Sequence, residues 1–113
     1  MNELKFIELK LVKEYCRVSS GKFDDTLTRL CNGAFDTIQN TIQRTIYANS
    51  EAQDAANDGA GDPDGIVIND DIITAALILT DGIFYKKIPT QSSEKRMPFD
   101  AYRYIQAYRK MGL

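Results

Sequence analysis

Seven carboxylates crowd one short stretch of this chain and are its first candidates for chemistry. Glu51, Asp54, Asp58, Asp62, Asp64, Asp70 and Asp71 all fall within residues 48–71, a segment without lysine or arginine. Carboxylates alternating around a glycine are how a calcium loop is built. With Gly65 at the sixth position of such a loop, Asp62 and Asp64 take the third and fifth, Val67 the eighth and Asp71 the twelfth. The match is partial: Ala60 stands at the first position, and Asp71 is shorter than the bidentate Glu usual at the last. A solvated acidic loop without a metal is the expectation.

Other reactive types are sparse. The chain has no histidine, which removes the commonest general base and metal ligand. Cys16 and Cys31 fall at apolar positions of helical patterns, where a free thiol packs as a small hydrophobe. The sequence contains no Gly-rich phosphate loop, no Cys-x-x-Cys pair and no nucleophile elbow. These features predict a protein that is not an enzyme and needs no cofactor.

A second constellation lies near the C-terminus, where Lys95, Arg96, Arg103, Arg109 and Lys110 interleave with Phe99, Tyr102, Tyr104 and Tyr108. Such a mixture is found on nucleic-acid surfaces. An overall pI near 5.1 works against affinity for phosphate backbones. Tyrosine and arginine are equally the residues that protein interfaces favour, and that is the preferred reading. Charge is divided sharply: the seven acids give −7 over residues 48–71, whereas seven Lys/Arg against three Asp/Glu give +4 over 72–113.

Four helical stretches must position these groups. The first, about residues 8–17, sets Leu9, Val12 and Cys16 on one face, and Ser19-Ser20-Gly21 closes it. The second, about 23–47, opens on Asp24-Asp25, suited to the positive end of a helix. It carries Leu27, Leu30, Cys31, Ala34, Ile38, Ile42 and Ile46 at helical period. Gly33 inside it lowers helix propensity by about 1 kcal/mol relative to Ala, which suggests a close helix crossing. The third, about 70–87, is apolar almost all round, so other protein must wrap it. The fourth, about 98–111, has Pro98 at its start and Gly112 just beyond its end. Phe99, Tyr102 and Ile105 form its inward face, with Tyr104 and Tyr108 on another.

Between the second and third helices, residues 48–68 have little to bury and are expected as an acidic loop, with Ile66-Val67-Ile68 able to form a short strand. The fold class is therefore all-α: one domain over residues 1–113, a small bundle of three to four helices with a long acidic loop. Core candidates are Leu27, Leu30, Ile38, Ile73 and Leu77. The apolar run Ile72–Leu79 is too short to cross a bilayer. Met1 to Lys13 alternates charge and hydrophobe, unlike a secretory leader, so synthesis in the cytosol with reduced thiols is expected.

Three blocks of this chain, in order, resemble a family. Leu9-Lys10-Leu11-Val12-Lys13-Glu14-Tyr15-Cys16-Arg17-Val18, followed by Asp24-Asp25 and then Leu27, Leu30 and Ala34, resembles the N-terminal half of the small head–tail connector proteins of tailed bacteriophages. Ala76-Leu77-Ile78-Leu79-Thr80-Asp81-Gly82-Ile83-Phe84-Tyr85 resembles their third helix, and Tyr102 to Arg109 their closing segment. The chain departs from the pattern at Cys16, where Leu is usual, and at Lys86-Lys87, where an acidic residue or Asn and then Arg are common. The resemblance implies a non-enzymatic virion protein, made in the host cytoplasm and placed at the head–tail junction. It implies a ring, usually twelve-fold, on the portal protein, extending the DNA channel and helping to retain packaged DNA. Partners would be other copies, the portal, and a tail or neck-completion protein, with DNA passing through unread and no membrane involved. On that view Asp58, Asp62 and Asp64 of one copy face Lys86, Lys87, Arg103, Tyr104, Tyr108 or Arg109 of a neighbour or the portal. Two other classes remain open: a small helical DNA-binding regulator, and a protein-interaction adaptor outside phage. Asp24-Asp25 at the head of the second helix is the wrong charge for a major groove.

Overall fold

A computed structural model describes residue 4 and residues 6–57, 65–85 and 99–109. The protein is a small all-α bundle. Helix α1 spans Leu9–Cys16, α2 Asp24–Ile42, α3 Ser50–Asn57, α4 Asp70–Phe84 and α5 Phe99–Ile105; the two-residue strands β1 (Ile46–Tyr47) and β2 (Ile66–Val67) flank α3.

Helix α4 is the centre, and its composition explains why. Asn69 caps it, its side-chain oxygen accepting the Ile72 N–H at 3.0 Å, and Asp70 and Asp71 suit the positive first turn. Ile72, Ala75, Ala76, Leu77, Leu79, Thr80 and Gly82 are all buried, because α1, α2 and α5 each pack on this helix. The wrapping demanded by its all-round apolar surface is supplied within one chain. Among the described residues, no helix is long and apolar enough to cross a membrane.

Helix α2 contributes Leu27, Cys31, Ala34, Phe35, Ile38 and Ile42 to the core. Leu30 is only half-buried, since at about 100° per residue it lies roughly 90° from the middle of that stripe. Ile73 is likewise half-buried, packed against the core from its edge, while Leu77 is 6% exposed. Gly33 is exposed, and a methyl group there would meet nothing within 4 Å. The expected close crossing at this glycine is therefore absent. Gly33→Ala should raise stability by about 0.5–1 kcal/mol, through helix propensity and a less flexible unfolded chain. Equilibrium denaturation checks this, and a fall in stability would contradict the open surface at that position.

Helix α2 ends at Ile42 rather than near residue 47. Gln43 adopts a left-handed conformation (φ 60°) and its N–H bonds to the Gln39 carbonyl. Ile46 is still buried, but as strand: its N–H donates to Gln39 Oε1 at 2.9 Å. Strand β1 then pairs in parallel with β2, Ile46 opposite Ile66 and Tyr47 opposite Val67. The strand expected at 66–68 forms, whereas the expected acidic loop contains a helix. Asn49 Oδ1 accepts the Ala52 N–H at 2.8 Å and starts α3. Gln53 Nε2 ties that helix to the Gly65 carbonyl at 2.7 Å.

At the C-terminal side, Ala101 and Ile105 are fully buried. Helix α5 stops at Ile105, and a single 3-10 turn, Gln106–Tyr108, follows, so the helix expected to run to residue 111 is shorter. Pro98, Met111 and Gly112 lie outside the described residues.

Helices α2 and α4 are antiparallel. Strand β2 leads into α4 where α2 gives way to β1, while Phe84 meets Phe23 edge to face at the opposite end, ring centroids 5.4 Å apart. The molecule thus has two unlike ends, one carrying the strands and α3, the other the last turn of α1 and the last turn of α4.

Candidate functional site

The end built by α1 and α4 carries the most unusual surface. Helix α1 closes in a Schellman motif: the Val18 N–H reaches the Lys13 carbonyl at 2.9 Å and the Arg17 N–H reaches Glu14 at 3.3 Å, with Arg17 left-handed at φ 60°. This turns the chain sharply into the 3-10 turn Gly21–Phe23, where Ser20 Oγ accepts the Lys22 N–H at 3.0 Å. Tyr85 closes the corner from the other side, its hydroxyl donating to the Cys16 carbonyl at 2.6 Å. Phe23, Phe84 and Tyr85 form a chain of edge-to-face rings, with the Lys22 ammonium 5.8 Å from the Phe23 ring centre.

Large apolar side chains are left open here. Leu11, Tyr15, Phe23 and Tyr85 are each between 38 and 46% exposed. Leu11 and Tyr15 stand one turn apart on α1, and Tyr15 and Tyr85 line one groove with Glu14, Cys16, Arg17 and Asp81. Beside it, a second groove is lined by Lys10, Lys13, Glu14, Arg17 and Val18. One cation is already engaged: Lys13 Nζ lies 2.9 Å from Asp24 Oδ1, holding the start of α2 to α1. Sequence reasoning singled out none of these residues as interface candidates. The signal was present, because Leu11 and Tyr15 fall off the Leu9–Val12–Cys16 stripe that α1 buries.

The C-terminal candidates lie elsewhere. Arg103 and Tyr104 are exposed on α5. The 3-10 turn breaks the expected Tyr104–Tyr108 stripe, and Tyr108 folds back onto the first turn of α4, donating to Asp71 Oδ2 at 2.8 Å. That hydrogen bond to a carboxylate, with burial and the Asp71 charge adding to it, raises the Tyr108 pKa above its ordinary 10.0; Asn69 opposes the shift. Arg109 donates to the Tyr102 hydroxyl at 2.9 Å, and Tyr102 packs half-buried against the core. Tyr108, proposed above as a contact to another subunit, thus already has an acidic partner in its own chain.

Asp58, Asp62, Asp64, Lys86 and Lys87 lie outside the described residues. Of the calcium pattern, Gly65 directly precedes strand β2, and Asp71, in the first turn of α4, accepts the Tyr108 hydroxyl. No group of three or more acidic, cysteine or histidine side chains suited to a metal occurs among the described residues. Both cysteines are buried, and the two are not joined in a disulfide. Burial pushes the Cys31 thiol up to about 11, against the opposing effect of a hydrogen bond with Thr80; such a thiol is a poor nucleophile at neutral pH.

Comparison with protein-family models, with curated proteins and with solved structures gives no match.

Proposed function

We propose that this chain is a structural protein of a tailed bacteriophage, a ring-forming connector between the head's portal and the tail. The ring, twelve-fold if it follows the portal, extends the DNA channel and helps retain packaged DNA. The observation that carries the reading is a coincidence of sequence and packing. The blocks resembling connector sequences lie in α1 and α2, in α4, and in α5 with the turn that follows it; α1, α2 and α4 pack mutually into the core and α5 packs on α4. On its outside, the molecule presents two chemically different ends: acidic α3 beside the strands, and the open apolar and cationic surface of α1. A closed ring of head-to-tail contacts requires two such unlike faces on every copy.

The test is genetic and visual. In the phage or prophage that encodes it, deleting the gene should give lysates of separate heads and free tails in electron micrographs, with virions restored when the protein is supplied. Intact infectious virions from the deletion strain would reject the connector role. A gel shift at low salt would then test the DNA-binding alternative.

A further inference from the structure

We propose that the outer face of α1 is the docking site for α3 of a second copy of this chain. The proposal rests on the ring reading only in taking another copy as the partner. Both helices are eight residues long, and each leaves one side open.

The two open sides are complementary. Around α1, at about 100° per residue, the order outside the buried Leu9–Val12–Cys16 stripe is Lys13, Lys10, Glu14, Leu11, Tyr15, and Arg17, just past the helix end, lines the same groove as Lys10 and Lys13. A cationic strip thus runs beside an apolar one, with Glu14 the single carboxylate between them. Lys13 is engaged by Asp24, so Lys10 and Arg17, both exposed, are the cations an incoming helix meets. On α3, Gln53 points inward to the Gly65 carbonyl, while Glu51, Asp54 and Ala55 are exposed. The two carboxylates occupy the middle of its outer side and Ala55 one flank. Carboxylates against Lys10 and Arg17 bring the small Ala55 side chain against Leu11 and Tyr15.

A chain cannot make this contact with itself. Helix α3 packs on β1 and β2, beyond the C-terminal end of α2, whereas the Arg17 end of α1 sits at the N-terminal end of α2. Those ends are separated by nineteen residues, about 28 Å of helix. The contact joins different faces of two copies, so it repeats head to tail and leaves an open face at each end until the ring closes. Each helix is only about 12 Å long, so one contact is smaller than the roughly 1,000 Å² of a lasting pairwise interface. Trapping therefore suits it better than waiting for a stable dimer.

The experiment mixes two full-length variants, Leu11→Cys and Ala55→Cys, which keep every charge in place, under mild oxidation. Random collision gives mixed and like disulfide pairs in equal total amount. The docked geometry predicts a several-fold excess of the mixed pair, falling as salt is raised. Adding Lys10→Glu and Arg17→Glu to the Leu11→Cys chain should reduce the product to the random ratio. Adding Glu51→Lys and Asp54→Lys to its partner should restore the excess. A random ratio with native charges, or an excess indifferent to the reversal, would overturn the proposal. Random pairing alongside separated heads and tails in the deletion lysate would end this contact and leave the connector role standing. Mixed pairing alongside intact virions would do the opposite.

Discussion

Replacing Phe35 with alanine should lower the free energy of unfolding by about 3–5 kcal/mol, the largest single effect expected at any described position. Phe35 is 1% exposed and is among the largest fully buried side chains. It packs within α2 between the stripe that faces α4 and the N-terminal segment, whose Phe6 ring lies 4.9 Å away at a 54° tilt. Truncation loses the transfer energy of the ring, the aromatic pair, and the contacts around the cavity left behind. Small domains have roughly 5–15 kcal/mol in total, so the variant would lose a large share of its stability. Urea denaturation followed by circular dichroism gives the answer: an unfolding free energy within about 1 kcal/mol of the parent's would mean that Phe35 is not the keystone described. Phe6→Ala should cost less, because Phe6 is only half-buried.

What could be read from the sequence follows from how each element is stabilised. Helix α4 was legible because burial on every side leaves a continuous apolar run. Helix α1 and most of α2 were legible because one buried stripe has one period. The end of α2 was not: Ile38, Ile42 and Ile46 are spaced as in a helix, and all three are buried. The core makes the same demand on Ile46 whether helix or strand delivers it. Only the left-handed turn at Gln43 separates the two, and glutamine does not announce such a turn. Helix α3 was missed for the converse reason. Asn49 followed by Ser, Glu, Ala and Gln is a good helix start, but with little apolar surface to bury it reads as solvated loop. Pairing of β1 with β2 joins segments twenty residues apart, and no local pattern encodes it. The candidate surface was half legible. Sequence could place Leu11 and Tyr15 off the buried stripe, but only the antiparallel packing of α2 and α4 brings Tyr85 and Phe23 to the same end. Tyr108 was assigned to a neighbour because its partner Asp71 is 37 residues away in sequence.

Cys31 should also make stability decline from about pH 9 to about pH 11. The thiol's ordinary value is 9.0, and in the folded chain it is about 11. Below pH 9 it is protonated whether the chain is folded or not, so folding incurs no penalty. As pH rises past 9, the unfolded chain gains the freedom to release this proton while the folded chain holds it. The unfolded state is favoured progressively until the folded thiol itself ionises near 11. A gap of that size corresponds to about 3 kcal/mol lost across the window. Cys31 is fully buried, and its hydrogen bond with Thr80 opposes the rise only in part. Tyrosines and lysines titrate in the same range, so the informative quantity is a difference. Cys31→Ala leaves a small cavity whose cost is constant with pH, and it removes the thiol. Unfolding free energies of parent and variant, measured from neutral pH to pH 11, should therefore converge or cross in favour of the variant. Parallel curves would mean that this thiol ionises equally well in both states, and the close packing of α2 on α4 around Cys31 and Thr80 would then be wrong.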